Sequence, residues 1–378
     1  MIGFKTGGIR LPDRKDLQEL LKRDGTSIVI TGDSLSYNRY DFDEQPRSNA
    51  YDCLPGIRSW SFLLRDAIHR NDAWFRHGHE LPYGHLKDSS VLGPAALPEY
   101  TLPFGHGALA IDVFDKDEKI KLTYTHYNDT NKAVLYFGSV PGDTAARFDI
   151  YVDGVYCKSV NNDGAGQPFQ GYNPIYIELE AAAGIEHEIV LTNWEQAAGS
   201  PQPSGQRTAY LLGIGSKLTP VHLTGQGSRT AEWLLNNLEE RVTGFTPDLV
   251  ILIIGANDRV YRTVQQFDQD LRAVINGIYT VNPKAYVLLL SPPSSINPED
   301  PAHDDIHYVP DAKSAEYNAV LEAAAEQHGC GYFATSSVFA GVPVEKWRYD
   351  NVHFTKYGNL LLAEAIAEFF GLDAALLR

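Results

Sequence analysis

"IVITGDSLSYN", Ile28 to Asn38, runs a short β-branched stretch straight into a glycine, an acid and a serine. Ile28, Val29, Ile30 and Thr31 lack the apolar–polar alternation of a half-exposed strand, so they predict a strand buried on both faces, as in a parallel sheet. Gly32 lets the backbone turn sharply or approach another segment closely. Ligands of open α/β sheets bind outside the carboxyl ends of the strands, which puts Ser34 at the mouth of a site. Asp33 and Ser34 also suit the N-cap of a following helix, and the tetrad alone does not separate the two roles.

On either side of this strand the pattern is helical. Residues 13–23 and 58–70 read as helices, the second with Trp60, Leu63, Leu64 and Ile68 at helical spacing. After Arg70 the character changes. Strand-like runs such as "KIKLTYTHY", "KAVLYFGSV", "RFDIYVDGVY" and "EHEIVLTNW" alternate with Gly, Pro, Asn and Asp clusters up to about residue 218. About seven strands at this spacing predict an antiparallel β-sandwich. From 219 the earlier pattern returns: "VHLTG" and "TAEWLLNNLEERV", "DLVILIIG" and "QFDQDLRAVINGIY", "AYVLLLS" and "AKSAEYNAVLEAAAEQHG", then "GYFATSS" and a last helix from about Thr355. Such alternation implies βαβ units with right-handed crossovers and a parallel sheet covered on both faces. The expected organisation is an α/β domain in two segments, residues 1–74 and 219–378, interrupted by a β-sandwich over residues 75–218.

The 378 residues are enough for a large core, and 43% hydrophobic with 21% charged residues is an ordinary globular composition. A net charge of −16 is repelled by a phosphate backbone or an anionic membrane surface, which argues against nucleic acid as a partner. No run reaches the roughly eighteen apolar residues of a membrane span, and the amino terminus lacks the apolar core of a secretory signal. The expectation is a protein without membrane insertion, cytoplasmic or released, and secreted only if a signal has been removed. Cys53, Cys157 and Cys330 are odd in number and far apart, so they form neither a disulfide framework nor a zinc spacing and read as idle thiols.

A nucleophilic serine needs a base and a group that orients the base. In "YDNVHFTKYGN", Asp350 precedes His353 by three residues just before the last helix, a spacing that lets the carboxylate accept from one imidazole nitrogen while the other points outward. Acyl transfer also needs donors aimed at a developing oxyanion. "ILIIGANDRVY" ends an apolar strand in Gly255, Ala256, Asn257 and Asp258, placing an amide at the same sheet edge as Ser34. "VHLTGQGSRTAEW" ends another in Gly225 and Gly227, either of which offers a backbone N–H there.

"GDSL", a glycine block, "GAND" and "DNVH", in this order, resemble the four motif blocks of the SGNH subfamily of GDSL esterases and lipases. The resemblance covers residues 27–70 and 219–378. It implies a flavodoxin-like sheet and ester hydrolysis without metal or other cofactor. Ser34 is then the nucleophile, His353 the general base and later acid, and Asp350 the orienting carboxylate. The Ser34 amide, the Gly227 amide and the Asn257 side chain form the oxyanion hole. Gln226, Gly227 and Ser228 depart from the family's usual second block, a serine or similar residue, glycine and an acid.

Some SGNH enzymes that remove O-acetyl groups from polysaccharides carry a β-sandwich resembling a carbohydrate-binding module, and this chain is similar in architecture. The insert mixes aromatics with amides and glycines, as in "GQPFQGYNP", which suits sugars, and no continuous apolar lid of a lipase is evident. The expectation is an O-acetylesterase acting on acetylated glycan or another small ester. The alternatives are a lipid or thioester hydrolase, or, in another class, a binding module with an idle site. His77, His79 and His85 in one loop, and His303, Asp304, Asp305 and His307 in another, have the residue types of a zinc site. The family chemistry needs no metal, and the second loop is expected to line the substrate cleft.

Overall fold

A computed structural model of the chain describes residues 14–36, 59–70, 86–87, 109–125, 130–138, 145–163, 174–197, 205–294, 311–348, 352–373 and 377. In chain order the strands are β1 (Ile28–Gly32), β2 (Leu86–Lys87), β3 (Leu109–Val113), β4 (Ile120–Tyr124), β5 (Lys132–Gly138), β6 (Ala146–Val152), β7 (Val155–Asn161), β8 (Pro174–Glu180), β9 (His187–Gln196) and β10 (Arg207–Gly215). They continue with β11 (Val221–Leu223), β12 (Leu249–Ile253), β13 (Tyr286–Ser291) and β14 (Gly331–Ala334).

Five of these strands form an all-parallel sheet in the order β11-β1-β12-β13-β14. Every residue of β1 and of β12 is buried, as the unalternating runs Ile28–Gly32 and Leu249–Ile253 require. Val29, Val250, Leu252, Val287 and Leu289 point to one face and share a core with Leu234, Phe267, Leu271, Ile275, Tyr317 and Leu321 of the covering helices. The long helix Val264–Val281 owes its placement to apolar residues three and four apart and its start to a capping box between Thr263 and Gln266. The step from β1 to β11 runs opposite to the steps from β11 through β12 to β14. Right-handed crossovers therefore send the helix Trp60–Arg70 to the other face. The reversal occurs at β1, flanked by β11 and β12, so the loops leaving these three strands are neighbours at the carboxyl edge.

The remaining strands form two antiparallel sheets, β3-β10-β5-β8 and β2-β4-β9-β6-β7. Ile111, Leu135, Phe137, Ile177 and Leu211 from one sheet and Leu122, Phe148, Ile150, Ile189 and Leu191 from the other meet in one core, which is sheet-on-sheet packing.

The chain divides into two compact units, one of Met1–Lys22, Thr26–Arg65 and Val221–Arg378, the other of Arg23–Gly25 and Asp66–Pro220. The β-rich unit thus takes in residues outside the expected 75–218. The Leu218 N–H donates to Asp24 Oδ1 at 2.8 Å and the Leu218 carbonyl accepts from the Gly25 N–H at 2.8 Å. Lys132 Nζ lies 2.6 Å from both Asp24 and Glu178. The His69 ring packs 5.0 Å from Tyr136 and 5.9 Å from Tyr176. None of these links has a local sequence signal. A second difference lies in "TAEWLLNNLEERV", expected as one helix. It breaks into Ala231–Asn236 and Leu238–Arg241 because Asn237, whose side chain donates to the Trp233 carbonyl at 2.7 Å, leaves helical conformation. Among the described residues no helix is long and apolar enough to cross a membrane.

Candidate active site

The turn after β1 is built on close backbone contact. Gly32 has φ +136°, and a Cβ on it would lie 1.7 Å from the Ile253 carbonyl oxygen, so no larger residue fits beside β12. The ladder continues past the strands: Asp33 N–H donates to Ile253 O at 3.1 Å, Thr224 N–H to Ile30 O at 2.9 Å and Gln226 N–H to Gly32 O at 3.0 Å. The loop after β11 is thereby drawn against the Ser34 turn. Gly225 is glycine for a steric reason, since its Cβ would sit 1.7 Å from Ser36 Oγ.

Ser34 is 7% exposed, and its Oγ lies 2.9 Å from Nε2 of His353, a residue 319 positions later in the chain. His353 sits in the turn before the helix Lys356–Phe370. The Thr355 N–H there donates to Trp347 O at 3.0 Å, Arg348 bridges Phe354, and Thr355 Oγ1 caps the helix through the Gly358 N–H. Gly358 packs so tightly on Trp347 that a Cβ would come within 2.1 Å of its carbonyl oxygen. Asn257, 5% exposed, follows β12 and donates through Nδ2 to Arg229 O at 3.0 Å. Gly227 is buried in the loop after β11. The structure therefore brings Ser34 and His353 into hydrogen-bond contact and places Asn257 and Gly227 on the two loops flanking the Ser34 turn. Asp350 lies outside the described residues, as do Cys53, both histidine-rich loops and the glycine-rich stretch of "GQPFQGYNP". Cys157 is exposed. Cys330 is buried, its thiol pushed up to about 11 by burial, with the Tyr279 hydroxyl 3.3 Å away.

Several residues that the motif spacing did not single out hold this edge together. Asp33 is fully buried; Oδ1 accepts from the Leu35 N–H at 3.0 Å and Oδ2 from the Ala256 N–H at 3.2 Å, tying the Ser34 turn to the Asn257 loop. Burial pushes its carboxyl up to about 6, against the pull of those two N–H groups, Arg259 and His353. Asp258 accepts from the Ala231 N–H with both oxygens, at 3.0 and 3.3 Å, and burial pushes it up to about 7. Arg259 is buried, donating to Pro293 O and Pro292 O at 2.7 Å and to Asn318 Oδ1 at 3.1 Å, which pins the loop after β13. Burial brings its pKa down to about 10, which leaves it charged at neutral pH. The signal for the two acids was their place directly after apolar strands. Arg259 had no signal beyond its neighbour.

The model of the GDSL-like lipase/acylhydrolase family matches residues 192–361. No curated protein matches the chain. Among solved structures, a peptidoglycan O-acetylesterase is 13% identical, with 94% of this chain and 93% of that one covered and a TM-score of 0.43. A lipase/acylhydrolase from Enterococcus faecalis is 25% identical over 42% of this chain and 79% of that one, with a TM-score of 0.36. An acetylxylan esterase from Geobacillus stearothermophilus is 21% identical over 43% and 75%, with a TM-score of 0.35.

Proposed function

We propose that Ser34 and His353 carry out ester hydrolysis through an acyl-enzyme, and that the natural substrate is an O-acetylated glycan; the match of residues 192–361 to the GDSL-like lipase/acylhydrolase family supports the reading. His353 Nε2 takes the Ser34 proton as Oγ attacks the ester carbonyl carbon, and returns it to the departing alcohol oxygen. Water then attacks the acyl-enzyme by the same route. The developing oxyanion is met by the Ser34 N–H, the Gly227 N–H and the Asn257 amide, and Asp350 is assigned to orient His353. The observation that carries this reading is the 2.9 Å contact between Ser34 Oγ and His353 Nε2 at the carboxyl edge of the sheet.

The glycan preference draws on the β-rich unit. On the outer face of its edge hairpin, Asp149 and Tyr151 of β6 stand opposite Ser159 and Tyr156 of β7. Tyr156 is 53% exposed, with its ring 5.6 Å from that of Tyr151. Asp149 accepts from Ser159 Oγ and from Asn193 Nδ2. Exposed aromatic faces beside carboxylate, amide and hydroxyl groups suit stacking on sugar rings and bonding of their hydroxyls.

Ser34→Ala tests the chemistry with an aryl acetate. The hydroxyl contributes little to packing, so the fold is expected to survive while turnover drops by about 10³-fold or more, the remainder coming from the oxyanion donors. Turnover at the wild-type level would sink the mechanism.

A further inference from the structure

On the reading that Ser34 and His353 act as nucleophile and base, we propose that Trp60 and Asn359 are the positioning residues that set the distance between them. The two groups come from segments 319 residues apart; the Ser34 turn is bonded to the loops after β11 and β12, and the His353 turn to Trp347 and Arg348. Something must hold one turn against the other. The indole Nε1–H of Trp60 donates to the Leu35 carbonyl, next to Ser34, at 2.6 Å. The backbone N–H of the same residue, a first-turn donor without a partner inside its helix, donates to Asn359 Oδ1 at 3.0 Å. Asn359 Nδ2 then donates to Phe354 O at 3.3 Å and Thr355 O at 3.0 Å, the residues directly after His353. Two side chains thus connect the carbonyl beside the nucleophile to the carbonyls beside the base.

Both are buried, Trp60 completely and Asn359 to 1% exposure. Burying an amide costs free energy unless its donors and acceptor are used, and an apolar residue would pack as well beside Leu362, Ala363 and Ile366. Asn359 earns no advantage from burial that leucine would lack; what it supplies is direction. Trp60 is placed by its own helix start, where Ser59 O accepts from the Leu63 N–H at 3.0 Å. The bridge therefore leads from one rigid element to another, as precise positioning requires.

Two variants test the link. Trp60→Phe removes the indole donor and keeps an aromatic ring. Asn359→Asp keeps the volume and the acceptor for Trp60 but sets a carboxylate oxygen against the Phe354 and Thr355 carbonyls. Reactive Ser34 is counted with a fluorophosphonate, so only folded enzyme is scored even when the yield is small, and kcat per titrated site is measured on an aryl acetate. Each variant is expected to lower kcat per titrated site about tenfold or more with KM within about threefold, since displacement of about 1 Å costs up to 10²-fold. The double variant is expected to lose less than the product of the two, because both act through one bridge. Lower thermal stability with kcat per titrated site unchanged in both variants would overturn the proposal. A wild type that neither labels nor turns over would instead overturn the esterase reading beneath it.

Discussion

On the proposed mechanism, Asn257 is the side chain that meets a charge existing only in passing. Its amide nitrogen has two hydrogens, and the one given to Arg229 O at 3.0 Å fixes the plane of the group. The proposed mechanism gives the other to the oxyanion. Because this bond forms in the transition state and not with the ground-state ester, Asn257→Ala is expected to lower kcat by about 10²–10³, about 3 kcal/mol, with KM nearly unchanged. Steady-state kinetics on an aryl acetate decides it, and a change confined to KM would make Asn257 a substrate contact instead. The positions of Ser34 and Asn257 after unbroken apolar strand runs, and of His353 just before the last helix, were readable in the sequence. Trp60 and Asn359 were not, since their partners are carbonyls that any residue carries. Gly225 was read as a candidate donor, whereas the structure gives it a steric duty against Ser36.

Strands β1 and β12 were plain in the sequence because full burial leaves them almost wholly apolar, Thr31 being the one polar residue. The turn between β6 and β7 is set by Asp153 at φ 50° and Gly154 at φ 80°, the left-handed pair that a two-residue hairpin needs. Its pairing with His187 at the start of β9 depends on pH. His187 Nδ1 lies 2.7 Å from Asp153 Oδ2 and Nε2 lies 3.1 Å from Ala182 O. Both partners only accept, so the ring satisfies both when both nitrogens carry protons. Burial disfavours that charge, but the Asp153 and Ala182 oxygens outweigh it and hold the imidazolium pKa above its ordinary 6.5, while His187 holds the Asp153 carboxyl below 3.8. The raised histidine value means that its contribution to stability is complete below 6.5 and disappears as pH rises through the folded value. Half-buried His222, stacked on Phe245 and lowered to about 4 by desolvation, acts in the opposite sense, so the difference between wild type and His187→Gln isolates the contact. In urea unfolding, wild type is expected to exceed the variant at about pH 6 and to lose that advantage by about pH 9. An advantage independent of pH would show that His187 contributes through packing alone.

At the scale of the whole chain, the interruption itself asks for a reason. The β-rich unit begins within the helix Trp60–Arg70 that follows Ser34 and ends just before β11, whose loop bears Gly227. The composition of residues 75–218 made a separate all-β block visible, but nothing in the local pattern marked Arg23–Gly25 as joining it, because the Asp24 bonds to Leu218 and Lys132 span long separations. On the proposed function the β-rich unit binds the acetylated polymer, raising its local concentration, whereas a small ester does not need it. Replacing residues 75–216 by a short linker keeps the helix Trp60–Arg70 and the bonds of Leu218 with Asp24 and Gly25, while the Lys132–Asp24 ion pair is lost. It removes Tyr136 and Tyr176 from beside His69, a local loss. The parallel sheet keeps all of its strands, β1 and β11–β14. Hydrolysis of a small aryl acetate is therefore expected to survive, while release of acetate from an acetylated polysaccharide is expected to fall about tenfold or more. Equal losses on both substrates would mean that the β-rich unit completes the catalytic site. No loss on any acetylated polymer would remove the argument for a glycan substrate and leave a small or lipid ester in its place.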